Sequence, residues 1–460
     1  MTEQFKDQGG VASMDPSPFH RWLTSRIVRR ICSPQRQQKQ RKKLEKARLK
    51  AGDKHVVEYF HQVDDGYSHL ASQVLLHLAQ RYDIELVCHL VRGPQGKNVA
   101  EPELLLRLSR YDAFHVAPEY GLQYPEHPQP LEASMVDLAN AILAAQDNES
   151  FIECAAHVGD ALWSDDAQRL QGLAESLGFG TDAEREARLA SGIARRAELK
   201  HYSGAMFYYG NEWYWGVDRL YHLESRLAEL GADREPGEAL LVPRPPVEAG
   251  PLRDNGSLTL EVYPSLRSPY TSIVFDRTVK LAEDTGVNLV VRPVLPMVMR
   301  GVPATREKGF YIFSDTVREA RYAGVPYGNF YDPIGDPVRR CYSLYPWACQ
   351  QGLGNELLSS FLNAAFAKGI NTNNNHGLRK VVEAAGLNWR EARQHLGEPG
   401  WEAMLEENRL AMYDAGLWGV PSFRLLDEQG NQILALWGQD RLWLFAREIQ
   451  RQLDRRQVAG

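Results

Sequence analysis

The chain contains itself twice. Displaced by 203 positions, EYFHQVDDGYSHLASQVLLHLAQRYDIEL (58–86) lies over EVYPSLRSPYTSIVFDRTVKLAEDTGVNL (261–289), with Tyr67 on Tyr270 and His77-Leu-Ala79 on Lys280-Leu-Ala282. The same register, with no net insertion, carries Gly121-Leu-Gln-Tyr124 onto Gly324-Val-Pro-Tyr327. Near the repeat ends, FYYGNEWYWGVDRLYHLESRLAEL resembles RLLDEQGNQILALWGQDRLWLFAREIQRQL: two β-rich runs around a Gly-Asn turn, then Gly-x-Asp-Arg-Leu opening an amphipathic helix. A repeat this long means two copies of one fold.

The copies run from about 53 to 231 and from about 256 to 455. A Pro-, Gly- and charge-rich linker (232–255) separates them, and a basic arm (1–52) precedes them. Each copy reads as strand, helix, strand, a long helical section, then a hairpin and a last helix. In the second copy Leu258, Leu260 and Val262 alternate as in a strand, Tyr270, Ile273, Val274 and Leu281 recur on one helical face, and the helical section spans about 310–415. A βαβ unit and a ββα unit around a helical insertion predict an α/β chain of two tandem thioredoxin-like domains.

Composition sets the background. At 460 residues, 43% hydrophobic and 24% charged, the chain has the length for two or three cores and an ordinary soluble balance. No run of about 18 apolar residues occurs, and Met1 to Gly10 has no signal-peptide pattern, so a cytoplasmic protein is expected. The five cysteines (32, 88, 154, 341, 349) make neither a CxxC pair nor a zinc spacing; reduced apolar fillers are expected, with Cys341 and Cys349 as a remote redox pair. The net charge of −6 hides an asymmetry: residues 21–50 hold twelve Lys and Arg against one Glu, about +11, leaving about −17 elsewhere.

In that arm Phe19, Trp22, Leu23, Ile27 and Ile31 form an apolar stripe before a highly polar basic run. A membrane-surface or nucleic-acid contact is one reading. The preferred one is a helical extension packing on the acidic body followed by a solvated linker, with at most a weak acidic-surface contact through residues 19–50 and no specific nucleic acid.

Two junctions could carry chemistry. Ser268-Pro269 is a helix start by two rules, since serine is a favoured N-cap and proline a favoured first residue. A group beside it faces free N–H groups and the positive helix end, and so prefers to be anionic. In GLWGVPSF, Pro421 belongs at a strand's first residue or in a cis bond. A cis Val420–Pro421 peptide would leave the Val420 backbone free to pair with an extended peptide ligand.

With these residues the second copy, over 258–453, resembles the thioredoxin-fold family of the DsbA-type oxidoreductases, kappa-class glutathione transferases and 2-hydroxychromene-2-carboxylate isomerase. The matching motifs are SPYTS, KGFYIFSDTVREARYAGVPY, GLWGVPSF and WGQDRLWLF, in that order. In the redox branch a cysteine stands at Ser268 and its partner at Thr271; this chain has neither thiol, so disulfide exchange by the usual route is closed. In the glutathione-using branch the residue is a serine whose hydroxyl donates to the thiolate of bound glutathione, making Ser268 the expected catalytic residue.

The resemblance further implies that Val420 and Pro421 hold the cysteinyl unit, that Gln439 and Asp440 meet the γ-glutamyl end, that Lys308 meets a glutathione carboxylate or an acidic substrate, and that Tyr270 contacts substrate. Asp440 equally reads as a helix cap and Lys308 as a solvated lysine. The family's asparagine falls near Met299, which has no amide to offer.

The first copy departs further: Asp65-Gly66 stands for Ser268-Pro269, Gly204 falls near Pro421, and Leu105 replaces Lys308. An aspartate there would repel a thiolate, so this copy is expected to be a fold without the chemistry, serving as the partner half of an intramolecular pseudo-dimer. The alternative gives Asp65 an acid–base step of its own. The Asn-rich GINTNNNHG loop with His376 and the aromatic runs YGNEWYWG and LYPWAC read as turn and core material. No phosphate loop or metal set occurs.

The expected protein is a glutathione-dependent isomerase or transferase acting on an electrophilic, aromatic or unsaturated acid, with glutathione as cofactor and a small molecule as substrate. A DsbA-type redox relative, a non-catalytic peptide-binding scaffold and a membrane-surface adaptor are the rivals.

Overall fold

The structure, a computed structural model, describes residues 15–126, 129–302 and 304–459. Its strands form two four-stranded mixed sheets of identical plan. Strands β1 (His55–His61), β2 (Ile84–Leu90), β3 (Met206–Tyr209) and β4 (Glu212–Trp215) lie in the order β2-β1-β3-β4. Strands β5 (Thr259–Tyr263), β6 (Asn288–Val291), β7 (Ser422–Leu426) and β8 (Gln432–Trp437) repeat it as β6-β5-β7-β8. In each, the first two strands are parallel and the closing hairpin is antiparallel.

Helices fill the interval between the second and third strand of each sheet: Pro102–Val116 to Asp182–Glu198 in the first, Arg306–Tyr322 to Trp401–Asp414 in the second. The chain divides into two compact units: the described parts of residues 1–37, 100–104 and 246–460, and residues 38–99 and 105–245.

The repeat holds at the level of single bonds, all at the 203-residue offset. Gln62 N–H donates to Ser68 Oγ (3.2 Å) as Ser265 N–H does to Thr271 Oγ1 (3.4 Å). Tyr67 donates to Asp112 (2.6 Å) as Tyr270 does to Asp315 (2.8 Å). Glu58 accepts from His89 Nε2 (3.0 Å) on the neighbouring strand, and Glu261 from Arg292 Nε (2.7 Å). Gly121 and Gly324 end helical segments at φ 69° and 67°, a left-handed geometry that costs glycine nothing.

Strand alternation is less strict than the sequence predicts. In β5 the outward Glu261 and Tyr263 are buried along with Leu260 and Val262, because helices cover both faces. The Glu261 carboxylate is accommodated by Arg292 on one side and Arg424 (3.5 Å) on the other.

The basic arm departs from expectation in two ways. Residues Pro18–Ile31 form a helix that packs on the Arg306–Tyr322 helix with Arg21, Ser25 and Val28 inward, while the apolar stripe of Phe19, Trp22, Leu23 and Ile27 faces out. Arg21 Nη1 donates to the carbonyls of Asp332 (2.8 Å) and Ile334 (2.5 Å), and Ser25 Oγ accepts from Asp332 N–H (2.9 Å). Those loop groups need polar partners, so the polar face wins. Residues Pro34–Ala51 are a second helix, none of it buried, where a linker was expected; Arg41 ties it to the β3–β4 hairpin through a two-pronged bond to Glu212 (2.6 and 2.7 Å).

All five cysteines are free. Cys341 and Cys349 lie eight residues apart on one helix, about 12 Å of rise, too far to pair. The Asn-rich loop is a capping network: Asn374 Oδ1 accepts from Gly377 N–H (2.8 Å), and Arg340 donates to Asn373 O (2.6 Å). No helix among the described residues is long and apolar enough to cross a membrane.

Candidate functional site at the first turn of the Pro269–Thr285 helix

Strand β5 ends at Tyr263, and the chain turns through Ser265, whose carbonyl accepts from Ser268 N–H (3.0 Å). Ser268 then caps the helix Pro269–Thr285, its Oγ accepting from Thr271 N–H (3.2 Å). Inside, Ile273, Val274, Phe275 and Leu281 bury the helix against the sheet, and Thr278 and Thr285 return their hydroxyls to the carbonyls of Val274 (3.0 Å) and Leu281 (2.7 Å). The cap serine is therefore on a rigid element, at the positive end of a helix of 17 residues.

The hydroxyl proton of Ser268 points to Val420 O at 3.4 Å, long for an O–H···O bond and so weak. Val420–Pro421 is a cis peptide. Pro421 O accepts from Gly438 N–H (2.9 Å), closing the β7–β8 hairpin behind it. Among the described residues the Val420 N–H has no protein partner. Ser268, Val420 and Pro421 are thus brought together.

Gln439 and Asp440 lie in a short 3-10 turn, Gln439–Arg441, that packs against the Ser268 helix. The Gln439 amide donates to Glu319 Oε2 (2.6 Å) and to the Asp440 carboxylate. Tyr270 donates to Asp315, which Arg318 also holds (2.9 Å). Asp315 and Glu319 are one turn apart on the Arg306–Tyr322 helix, so that helix clamps both the serine's helix and the Gln439 turn.

Lys308 stands seven residues before Asp315, on the same helical face and about 10 Å along the axis. It is half-buried rather than solvated; burial holds its ammonium below the usual lysine value, and no acid partners it among the described residues.

Other participants gave no sequence signal. Arg267, beside the serine, is held by Asp332 (2.6 Å) and lies over the rings of Phe313 and Phe330. Asp332 is in turn the residue that the Pro18–Ile31 helix grips. Glu319 and Asp315 join the same network. These are contacts between residues tens to hundreds of positions apart, which no local spacing announces.

At the corresponding place in the other unit, Asp65 caps its helix with Oδ2 accepting from Ser68 N–H (2.9 Å) and Ser68 Oγ (2.8 Å), and burial pushes its carboxyl up to about 6. Pro421's place before the third strand is taken by Ala205, at φ 53°, rather than by Gly204. None of the cysteines occupies either helix start in the sequence, and burial raises every thiol: Cys32 to about 12, Cys154 to about 11, and Cys88, Cys341 and Cys349 upward as well.

This arrangement of sheet, capped helix and proline-led hairpin defines a thioredoxin-type α/β domain. Residues 259–450 match the family model of the DSBA-like thioredoxin domain and are such a domain. Among solved structures the chain is similar to a 2-hydroxychromene-2-carboxylate isomerase (19% identity, 44% of this chain and 99% of that one, TM-score 0.37). It is also similar to the cytosolic disulfide reductase DsbM of Pseudomonas aeruginosa (20% identity, 42% and 99%, TM-score 0.32) and to a probable DsbA oxidoreductase of Streptomyces coelicolor (17% identity, 42% and 90%, TM-score 0.32). No curated protein matches the chain.

Proposed function

We propose that the DSBA-like domain is a glutathione-dependent isomerase or transferase acting on an electrophilic organic acid, with Ser268 stabilising the cofactor's thiolate. The observation that carries this reading is a serine hydroxyl at a helix start, its proton only weakly engaged with Val420 O, beside the open Val420 N–H. The donors fit the tripeptide: a hydroxyl for the sulfur, a strand-edge N–H for the cysteinyl carbonyl, and the unpartnered Lys308 ammonium for a carboxylate. Gln439 and Asp440 would meet the γ-glutamyl end by reorganising the Gln439–Glu319 bond.

Bound glutathione supplies the nucleophilic sulfur that none of this chain's raised thiols offers. Ser268 swings its proton from Val420 O to the sulfur, while the helix end favours the negative charge. The other copy, with a carboxylate at Asp65 in the serine's place, is read as a supporting partner half.

Calorimetry with reduced glutathione tests the reading. Binding to the wild type is expected, weakened about tenfold or more in Ser268→Ala, since a charge-assisted hydrogen bond is worth roughly 1.5–3 kcal/mol. The bound thiol should ionise below the ordinary value of about 8.5 in the wild type, and at a higher pH in Ser268→Ala, which keeps the helix end but loses the hydroxyl. Equal or absent binding in both proteins overturns the reading. If an unstructured peptide instead protects the Val420 amide from exchange, the hairpin edge is a peptide-docking strand.

A further inference from the structure

Arg300 is the most anomalous charge in the DSBA-like domain. It ends the short Met297–Arg300 turn that follows β6, and it is only 6% exposed. Its Nε and both terminal nitrogens are buried without a well-formed hydrogen bond, and no acid forms a salt bridge with it among the described residues. Its polar neighbours are the Tyr413 hydroxyl, which donates its own proton to Glu101 (3.1 Å) and offers only a neutral oxygen to the guanidinium, and the more distant Glu406, which Arg409 already engages. A buried guanidinium with no carboxylate of its own is costly, so its retention asks for a ligand.

The guanidinium lines a cleft of about 260 Å³ between the loop after β6 and the helix Trp401–Asp414. Asn408 fixes that helix to the loop by donating to Pro293 O (2.9 Å). Trp401, Leu295 and Leu405 supply apolar walls. The cleft's other cation, Arg409, is already neutralised by Glu406 through bonds of 2.8 and 2.5 Å, although its Nη1 is buried and unpartnered. Glu402 stands at the exposed rim.

We infer that this cleft binds the carboxylate of a small aromatic or apolar organic acid, with Arg300 forking onto the carboxylate and Trp401 and Leu295 against the ligand's body. A fork of coplanar donors matches a carboxylate in two-point contact. The volume suits a body of roughly ten non-hydrogen atoms. With Glu406 engaged by Arg409, the rim carboxylate of Glu402 sets an upper limit on ligand charge: one negative charge meets Arg300, while a dianion such as phosphate adds repulsion from Glu402. Apolar walls select against a small, fully hydrated ion for the same reason.

The cleft opens at the end of the sheet that Ser268 occupies. β5 and β6 are parallel, Ser268 follows the first and Arg300 the second, and Val294 N–H donates to Pro264 O (2.9 Å), tying the two loops together. Ligands of open α/β sheets gather at this edge. The inference stands apart from glutathione, because Arg300 and the cleft do not involve Ser268.

Benzoate and its neutral counterpart benzamide test the site by calorimetry on the full chain. Benzoate should bind the wild type, benzamide and inorganic phosphate should bind at least tenfold more weakly, and Arg300→Met should lose benzoate binding by at least tenfold. Glu402→Gln, which removes the rim charge, should tighten benzoate binding. Ser268→Ala should bind benzoate as the wild type does, so failure of the glutathione reading leaves this result intact.

Without ligand, Arg300→Met should melt at a higher temperature than the wild type, because it removes an unpaired buried charge. Benzamide or phosphate binding as well as benzoate, unchanged affinity in Arg300→Met, or a lower melting temperature of that variant would each overturn the inference.

Discussion

Tyr270 joins the architecture to the candidate site. Its hydroxyl donates to the fully buried Asp315, one turn from the Glu319 that holds Gln439. Tyr67 makes the same bond to buried Asp112 in the other unit. Removing either hydroxyl withdraws a donor from a buried carboxylate, so Tyr270→Phe and Tyr67→Phe should each cost about 1–3 kcal/mol in denaturant unfolding. Only Tyr270→Phe should also weaken glutathione binding, since only its helix starts with a serine. Matching losses of affinity would mean that the effect is global softening. The sequence made this pair visible as aligned tyrosines, but not their partners. The aspartates fall in helical stretches with no motif around them, and a buried acid looks like a surface acid until its tyrosine is placed.

At the level of elements, the two sheets share one wiring with different ions. Glu58 on β1 lies between His89 on β2 and Arg195 (2.7 and 2.8 Å) on the Asp182–Glu198 helix. Burial alone would raise its carboxyl, yet the Arg195 and His89 hydrogen bonds outweigh burial and bring it from 4.5 down to about 2. A carboxyl with a depressed folded value stabilises fully above its unfolded value and loses that contribution as pH falls through the folded one. Stability of the β1–β4 unit should therefore drop between pH 4.5 and 2, and Glu58→Gln should flatten that part of the curve while lowering stability at neutral pH. An unchanged acid limb in the variant would place the titrating group elsewhere. Strand and helix positions around these ions follow from apolar periodicity and the repeat register. The ion pairs themselves do not, because opposite charges brought together across a sheet carry no sequence period.

At the scale of the whole molecule, the unit that carries Ser268 is discontinuous in sequence: part of residues 1–37 belongs with 246–460. The link is polar where the sequence suggested an apolar one. Arg21 is 1% exposed and satisfies two loop carbonyls and Asp15 (2.6 Å), whereas Phe19 and Trp22 are 64% and 46% exposed. The hydrophobic stripe was legible and its direction was not, because the loop at 330–334 needs two donated hydrogen bonds and an acceptor, which Arg21 and Ser25 supply and which Phe, with no polar group, and Trp, with a single N–H, cannot. Asp332, gripped by Arg21 and Ser25, holds Arg267 next to the cap serine. The usual ranking of substitutions should then invert. Arg21→Ala leaves buried carbonyls unsatisfied and should cost about 2–4 kcal/mol, with loss of amide protection concentrated in β5 and β7. Trp22→Ser should change stability by less than about 0.5 kcal/mol. Hydrogen exchange read on both variants decides between the two faces: if Trp22→Ser destabilises β5 and β7 more than Arg21→Ala does, the helix rests on its apolar stripe.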